Sequence, residues 1–307
     1  MNKKTLLVVV GPTAVGKTAF CIDLAQRLHT EIISADSRQF YKEIPIGTAA
    51  PTAEELAMVP HHFVGNLSIV DYYNVSIYEQ EALKTIEQLF QTKDIVIATG
   101  GSGLYIDTLC NGIDNLPDVD VDLRKHLQKQ YETEGLMPIL NQLQTLDPEY
   151  YQIVDKNNYK RVLRAVEVCL QTGKTYTELR TQPALQRKFR ILKICLALPR
   201  EILNERINLR TEMMLKSGMI EEAEALLPMR NLNALNTVGY KELFACFDGK
   251  FTLAEAKEKI KTNTRRYAKR QMTWFKRDEK MLYFSPAQIE DVYNWVMQNT
   301  ELQQVEK

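Results

Sequence analysis

The first residues with the types and spacing for chemistry lie near the amino terminus. Residues 11–18 fit the pattern G-x-x-x-x-G-K-[ST], after an apolar run and before a helical pattern. The glycines let successive backbone N–H groups converge on an anion, and the following helix adds its positive N-terminal dipole. Lys17 would bring a charge to the terminal phosphate, and Thr18 could hold Mg²⁺ through its hydroxyl. The pattern predicts a loop that binds a diphosphate or triphosphate, made of Gly11, Pro12, Thr13, Ala14, Val15, Gly16, Lys17 and Thr18.

A carboxylate follows the second apolar run. The run Glu31–Ala35 is typical of a strand, and it ends at Asp36 and Ser37. Ligands of open α/β sheets bind at the carboxyl ends of the strands. Asp36 is therefore a candidate general base or metal ligand, and its closeness to the phosphate-binding loop favours such a role. The structural alternative is a helix N-cap, a position at which Asp is common.

The end of a later predicted strand carries glycines and no acidic residue. The run Asp94–Ala98 leads into Thr99-Gly100-Gly101-Ser102-Gly103. Ordinary nucleoside triphosphatases use an acidic residue at such a strand to hold the metal ion, and its absence argues against that chemistry. The glycines indicate either a backbone surface close to a substrate or a flexible turn between strand and helix.

These candidate residues require a sheet to position them. Strand-like apolar runs occur at Leu6–Val10, Glu31–Ala35, His62–Leu67 and Asp94–Ala98, and helical spacing occurs at Ala19–His29 and Ser76–Phe90. Alternating helices and nearly continuous apolar strands predict a parallel sheet covered on both faces. The fold class is α/β, with a P-loop NTPase-like parallel sheet as its core.

The middle of the chain has a different character. Residues 118–188 are polar, helix-rich and almost free of strand-like runs. A strand-like run returns at Ile191–Leu198, and helical patterns extend from Glu201 to Arg277. We therefore predict a core of residues 1–117 and 189–307 with C-terminal helices, interrupted by a mostly helical inserted domain at 118–188.

Basic residues are concentrated near the carboxyl end. Between Lys257 and Arg277 there are nine Lys or Arg residues and one acid, Glu258. On a helix, Arg266, Lys269 and Arg270 would share one side, which indicates contact with a phosphate backbone. A solvated surface helix is the structural alternative. A weaker basic patch lies in the insertion and contains Lys156, Lys160, Arg161 and Arg164.

The composition limits the classes of protein that fit. Acidic and basic residues balance at 39 each, giving a formal net charge of zero, so a nucleic acid must be met by a local patch. The five cysteines form no CxxC pair, and the pair His61-His62 has no carboxylate or cysteine at ligand spacing. No apolar stretch approaches the roughly 20 residues that span a bilayer. We expect a cytoplasmic protein that does not contact membranes.

Several longer blocks resemble the tRNA dimethylallyltransferase family, also called the IPP transferase family. In family order they are Asp36–Tyr41, Ile46–Pro51, Thr99–Tyr105, Lys160–Ala165, Val238–Lys241 and Ala268–Gln271. Together they span nearly the whole chain and are far more specific than the phosphate-binding loop. Asn236 and Lys241 stand where many members of the family have arginines.

The resemblance implies a Mg²⁺-dependent transfer of a dimethylallyl group from dimethylallyl diphosphate to tRNA. The acceptor would be N6 of the adenosine immediately 3′ of the anticodon, at tRNA position 37, and the product N6-isopentenyladenosine. By this resemblance Asp36 is the general base, Thr13 and Lys17 hold the diphosphate, and Thr18 serves the metal and the leaving group.

The same resemblance assigns partners and contacts. The expected partners are dimethylallyl diphosphate and the tRNA anticodon stem-loop, bound by a monomer, with the helical insertion touching tRNA. Residues expected to contact tRNA are Asp36, Ser37, Arg38, Gln39, Ser102, Arg124, Lys160, Arg161, Val162, Leu163 and Arg164. The charge excess near the carboxyl end adds Arg266, Lys269 and Arg270.

Two other classes of function fit part of the pattern. A kinase of a small molecule or nucleoside could use the phosphate-binding loop, Asp36 as a base for a hydroxyl, and the insertion as a lid. A nucleotide-dependent RNA-binding switch would need no transfer chemistry. The missing acid after Asp94–Ala98 counts against both, and the basic patch counts against the kinase.

Overall fold

Six strands form one parallel sheet within residues 4–114, 116–180 and 186–300, the part of the chain that the computed structural model describes. They are β1 (Thr5–Val10), β2 (Ile32–Ser34), β3 (His61–His62), β4 (Ile95–Gly100), β5 (Arg190–Leu196) and β6 (Leu282–Phe284). Their order across the sheet is β3-β2-β4-β1-β5-β6, and every neighbouring pair is parallel. The predicted α/β class with a parallel sheet is therefore confirmed.

The central strand β1 is buried on both faces, as its continuous apolar run requires. Leu6, Val8 and Val10 pack into one hydrophobic cluster, and Leu7 and Val9 pack into another on the opposite face. All five side chains are fully buried. Because successive strand residues point to opposite faces, a run without polar interruptions needs cover on both sides.

One strand prediction needs correction, and one strand was missed. Of the run predicted near His62–Leu67, only His62 is strand, together with the preceding His61, and Leu67 makes a single bridge to Tyr41. Phe63 and Gly65 have φ values of 64° and 59°, and such left-handed backbone cannot continue an extended strand. The short edge strand β6 was not predicted, because three residues are too few to show a period.

The described residues divide into two compact units. One draws on residues 1–110 and 187–307, and the other on residues 111–186. The sequence pattern placed the insertion at 118–188. The helices associated with the sheet unit are α1 (Lys17–Arg27), α2 (Ala53–Met58), α3 (Val75–Leu89), α4 (Gly103–Asn111), α10 (Arg200–Met214), α11 (Ile220–Ala225), α12 (Tyr240–Phe247), α13 (Leu253–Phe275) and α14 (Ile289–Thr300).

The second unit is built from helices around its own core. Its helices are α5 (Val121–Glu134), α6 (Met137–Leu146), α7 (Pro148–Ile153), α8 (Tyr159–Thr172) and α9 (Tyr176–Leu179). Leu127, Ile139, Leu143 and Val166 belong to its hydrophobic cluster. Among the described residues of the chain, no helix combines the length and apolar character needed to cross a bilayer.

Candidate functional site

The predicted phosphate-binding loop connects β1 to α1. Gly16, the residue before α1, has φ 106° and ψ 23°, a left-handed conformation that a glycine adopts without strain. No side chain caps the first turn of α1, so its N–H groups can serve an anion. Within the loop Pro12 and Val15 are buried, while Thr13, Ala14, Gly16, Lys17 and Thr18 line a cavity of about 380 Å³.

Lys17 is held inside this loop. Its Nζ donates hydrogen bonds to the carbonyl oxygens of Gly11 at 2.9 Å and Pro12 at 3.0 Å. Burial lowers the pKa of Lys17 to about 8, against an opposing effect of the Asp36 carboxylate. An incoming anion would restore the protonated amine, because a nearby negative charge favours the charged form.

Two arginines that the sequence reasoning missed also reach the loop. Arg206 Nη1 donates to the carbonyl oxygen of Val15 at 3.0 Å, and Arg210 Nη2 donates to the hydroxyl of Thr13. Both lie on α10 and line the same cavity. Burial lowers the pKa of Arg210, and the Asp36 carboxylate opposes that shift. The sequence did contain a signal for this pair of arginines. They are four residues apart, and residues at i and i+4 share a helix face.

Asp36 lines the same cavity at the carboxyl end of β2. Its Oδ1 accepts a hydrogen bond from the Arg38 N–H at 3.0 Å, within a turn. The next helix, α2, begins only at Ala53 and is capped by Thr52. The alternative in which Asp36 is a helix N-cap is therefore wrong, and the structure brings this carboxylate to the phosphate-binding loop.

The neighbours of Asp36 fall into two groups. Gln39 lines the same cavity, and its Nε2 donates to the carbonyl oxygen of Ala49 at 3.0 Å. Ser37 N–H donates to Ser102 Oγ at 2.9 Å, and Ser102 Oγ lies 3.1 Å from Ser37 Oγ. Ser37 and Arg38 line a second cavity of about 370 Å³.

The glycine segment at the carboxyl end of β4 has two roles. Thr99 and Gly100, the last residues of the strand, line the first cavity. Gly101 is needed for packing, because a Cβ there would lie 2.2 Å from Nε2 of Gln271. Gln271, on α13, accepts from the Thr13 N–H at 2.8 Å and donates to the carbonyl oxygen of Gly101 at 2.9 Å.

Three cationic residues of α13 lie on its exposed side. Arg266, Lys269 and Arg270 are exposed, whereas Ile260 and Ala268 are buried. None of these three cations forms an ion pair with any residue in the described ranges. Earlier in the helix, by contrast, Lys257 and Lys261 both pair with Glu212. Arg270 also lines the second cavity, together with Arg38 and Lys241.

One tyrosine of α13 is shared by the two cavities. Tyr267 lines both cavities. Burial, followed by the nearby Asp36 carboxylate, raises the pKa of its phenol to about 12. It is therefore neutral at physiological pH and able to donate a hydrogen bond.

In the helical unit, two of the predicted tRNA contacts share one buried carboxylate. Arg124 Nε donates to Glu167 Oε2 at 2.8 Å, and Arg164 Nη1 donates to Glu167 Oε1 at 2.6 Å. Glu167 is 1% exposed. Arg164 Nη2 also donates to the carbonyl oxygen of Pro117 at 2.6 Å. The fold of this unit therefore fixes both guanidinium groups.

The rest of the predicted segment on α8 divides by helix face. Lys160 and Arg161 are exposed. Val162 is fully buried, and Leu163 packs against the same hydrophobic cluster. The side chain of Val162 is therefore not available to tRNA, because position 162 lies on the apolar face of an amphipathic helix.

Comparison with known proteins supports one family. The chain matches the family described as IPP transferase over residues 39–278. It is 51% identical to tRNA dimethylallyltransferase 1 of Bacteroides thetaiotaomicron over 292 residues. That alignment covers 95% of each chain. The crystal structure of a tRNA isopentenylpyrophosphate transferase from Bacillus halodurans superposes with a TM-score of 0.72 at 34% identity, covering 98% of each chain.

A second solved structure extends the comparison beyond bacteria. It is a eukaryotic dimethylallyltransferase acting on tRNA, with a TM-score of 0.77 and 27% identity, and the match covers 98% of this chain and 77% of that one. The matches in sequence and in structure extend over nearly the whole length of this chain. The chain therefore belongs to the IPP transferase family.

Proposed function

We propose that this enzyme transfers the dimethylallyl group of dimethylallyl diphosphate to N6 of the adenosine immediately 3′ of a tRNA anticodon. The products are N6-isopentenyladenosine and diphosphate. The relatives named above are a tRNA dimethylallyltransferase and enzymes that act on tRNA. The observation that carries the proposal for this chain is that the phosphate-binding loop and the Asp36 carboxylate line one cavity.

The leaving group is stabilised by the cationic end of the cavity. When the bond between C1 and the diphosphate oxygen breaks, its electron pair leaves with the diphosphate. Loop amides, Lys17, Arg206 and Arg210 surround the place where this negative charge grows. Preorganised donors and charges of this kind lower the barrier because they need no rearrangement during the reaction.

The acceptor needs a base. The lone pair of adenine N6 is delocalised into the ring, so N6 is a weak nucleophile. As the N6–C1 bond forms, the proton on N6 passes to the Asp36 carboxylate, and this transfer restores the neutral amine. The adenine must leave the base stack to reach such a carboxylate, and Gln39 and Ser37 stand beside Asp36 to frame it.

The surroundings of the loop fit a Mg²⁺ ion that is held mainly by the substrate. Among the residues that the structure describes, no three His, Cys, Asp or Glu side chains form a metal-binding group. Mg²⁺ often takes one or two protein oxygens and completes its shell with substrate phosphates and water. We assign that contact to the Thr18 hydroxyl, which lines the cavity. The ion would neutralise charge on the diphosphate.

The macromolecular partner follows from the cations of α13 that form no ion pair within the described part of the chain. Arg266, Lys269 and Arg270 are exposed on α13, and Arg270 and Arg38 line the second cavity. We propose that they contact phosphates of the anticodon stem-loop, and that Lys160 and Arg161 of the helical unit do the same. In this proposal the enzyme acts as a cytoplasmic monomer.

A kinase would use the same loop with ATP as the donor. Membership of the IPP transferase family favours prenyl transfer, and the α13 cations have no task in a small-molecule kinase.

One assay separates the two reactions. The enzyme is incubated with an unmodified anticodon stem-loop and Mg²⁺, with either labelled dimethylallyl diphosphate or γ-labelled ATP. We expect label in RNA only from the prenyl donor, and no transfer when guanosine replaces the target adenosine or when EDTA is added. Label transferred from ATP, or prenylation of the guanosine RNA, would overturn the proposal.

A further inference from the structure

One face of α10 carries both charged and apolar residues into the cavity. Arg206, Leu209, Arg210 and Met213 all line it, as their i, i+3, i+4 and i+7 spacing allows. The neighbouring face of the helix enters the core, where Ile207 and Leu203 are buried. The cavity-facing stripe therefore alternates guanidinium groups, which reach the phosphate-binding loop, with aliphatic side chains.

The two aliphatic side chains on this stripe are left in contact with solvent. Leu209 is 62% exposed and Met213 is 57% exposed. They are the two largest aliphatic side chains that line the cavity, since the others belong to Ala14, Ala19, Ala49, Pro51 and Val64. An isolated exposed apolar residue needs no explanation. Two of them beside a pair of arginines that contact the phosphate-binding loop match a ligand that has an anionic end and a short hydrocarbon end.

We propose that Leu209 and Met213 form the wall that binds the dimethylallyl group, and that they restrict the donor to a short prenyl chain. This inference rests on the proposed function, because it names the residues that recognise the hydrocarbon part of that donor. Arg206 and Arg210 hold the diphosphate from the same helix face, so one rigid element sets the distance between the two ends of the donor. Bulky side chains at 209 and 213 occupy space that a longer chain would need.

The size of the effect follows from apolar burial. Each buried methylene contributes about 0.8 kcal/mol, which corresponds to about fourfold in affinity. A side chain that covers one or two carbons of the donor should therefore contribute about four- to fifteenfold. A polar side chain of similar length at the same position would lose most of this contribution while leaving the diphosphate contacts in place.

The first test compares two ligands of equal charge, dimethylallyl diphosphate and methyl diphosphate, by calorimetry in the presence of Mg²⁺. Leu209→Gln and Met213→Gln should each reduce the preference for the dimethylallyl ligand by about four- to fifteenfold, with methyl diphosphate affinity unchanged. Ile202→Gln is the matched control, since Ile202 is an exposed aliphatic residue of α10 that does not line the cavity. An unchanged preference in both variants, or an equal loss for both ligands, would overturn the inference.

The second test concerns chain length. In the double variant Leu209→Ala and Met213→Ala, the kcat/KM for geranyl diphosphate relative to dimethylallyl diphosphate should rise at least tenfold. Calorimetry measures donor binding without prenyl transfer to RNA. The proposed function and the proposed apolar wall can therefore be refuted separately. Wild-type enzyme that binds the donor through this wall but prenylates no RNA would refute the proposed function alone. Normal prenylation with unaltered ligand and chain-length preferences in the variants would refute the wall alone.

Discussion

Gln271 accepts a hydrogen bond from the backbone N–H of Thr13 at 2.8 Å, across 258 positions of the chain. Its Nε2 donates at 2.9 Å to the carbonyl oxygen of Gly101, so a single buried side-chain amide connects α13 to the loops after β1 and β4. Amide geometry is rigid, and both of its ends are occupied. The shape of the phosphate-binding loop therefore depends on a helix from the far end of the chain.

Replacing Gln271 by Leu should disturb both folding and donor binding. The Thr13 N–H and the Gly101 carbonyl would lose their partner in a site where Gln271 is only 5% exposed. We expect the free energy of unfolding to fall by about 1–3 kcal/mol and dimethylallyl diphosphate to bind roughly tenfold more weakly. Urea unfolding and calorimetry measure the two effects. Gln298→Leu, at an exposed position of α14, is the control. Equal losses of stability and donor affinity in that variant would contradict the role assigned to Gln271.

Asp36→Asn should abolish chemistry while sparing the fold. The amide oxygen can still accept the hydrogen bond from the Arg38 N–H, but the side chain can no longer take a proton from N6. A general base contributes about 10²–10⁴ in rate, and we expect a loss of that size in single-turnover prenylation. Donor affinity and thermal unfolding should stay close to those of the wild type. Turnover within a factor of three of wild type would exclude the role of base.

Donor binding should weaken at alkaline pH because of Lys17. The pKa of Lys17 is about 8 in the folded protein, below its ordinary value of 10.5. Above about pH 8 the free enzyme carries a neutral amine, so protonating it becomes part of the cost of binding an anion. We expect the affinity for dimethylallyl diphosphate to fall by up to tenfold per pH unit between about pH 8 and pH 10. Calorimetry across that range should show the fall in wild type and its absence in Lys17→Met.

The same pKa shift has the opposite effect on the stability of the ligand-free enzyme. Between about pH 8 and pH 10.5 the unfolded chain binds more protons at Lys17 than the native state does. The contribution of this group to stability therefore rises with pH across that window. Lys17→Met should flatten this part of the pH profile in urea unfolding. A wild-type profile that matches the variant would show that Lys17 is not buried as described.

Affinity for tRNA should depend on salt through the exposed cations of α13. If Arg266, Lys269 and Arg270 each touch one phosphate, the triple Ala variant should reduce the log–log salt slope by about two to three. A matched variant replaces Lys257, Lys259 and Lys261 of the same helix by Ala. It removes equal charge, but Lys257 and Lys261 already pair with Glu212, so its slope should change little. Equal changes of the salt slope in both variants would show that tRNA binding depends on the total charge of the protein and not on these three contacts.

The helical unit should depend on Glu167 for its stability. This carboxylate is 1% exposed and accepts hydrogen bonds from both Arg124 and Arg164. Glu167→Gln would leave two guanidinium groups without their counter-charge, and because both are partly exposed to water we expect the free energy of unfolding to fall by about 1–3 kcal/mol. Glu132→Gln, at an exposed position of α5, should change the free energy of unfolding by less than about 0.5 kcal/mol. A Glu167→Gln variant as stable as Glu132→Gln would contradict the shared-carboxylate arrangement.

The sequence by itself determined the features that depend on neighbours in the chain. The apolar run before Gly11 and the helix after Lys17 define a strand, loop and helix, because backbone geometry there is governed by residues a few positions apart. The same holds for Asp36, which follows directly from its strand. Six blocks of residues in family order indicated the IPP transferase family, and the comparisons confirm it. The roles in tRNA contact of Ser102, Arg124 and the α8 cations stay predictions.

Only the tertiary structure decided which distant residues meet at the cavity. Arg206, Arg210 and Gln271 lie about two hundred or more positions from the loop that they contact. A helical period predicts that a helix has a buried face, but it does not say what that face touches. The exposure of Leu209 and Met213, and the burial of Val162 on a helix expected to contact tRNA, likewise depend on packing between elements. Side-chain type is local, whereas its surroundings are set by the whole fold.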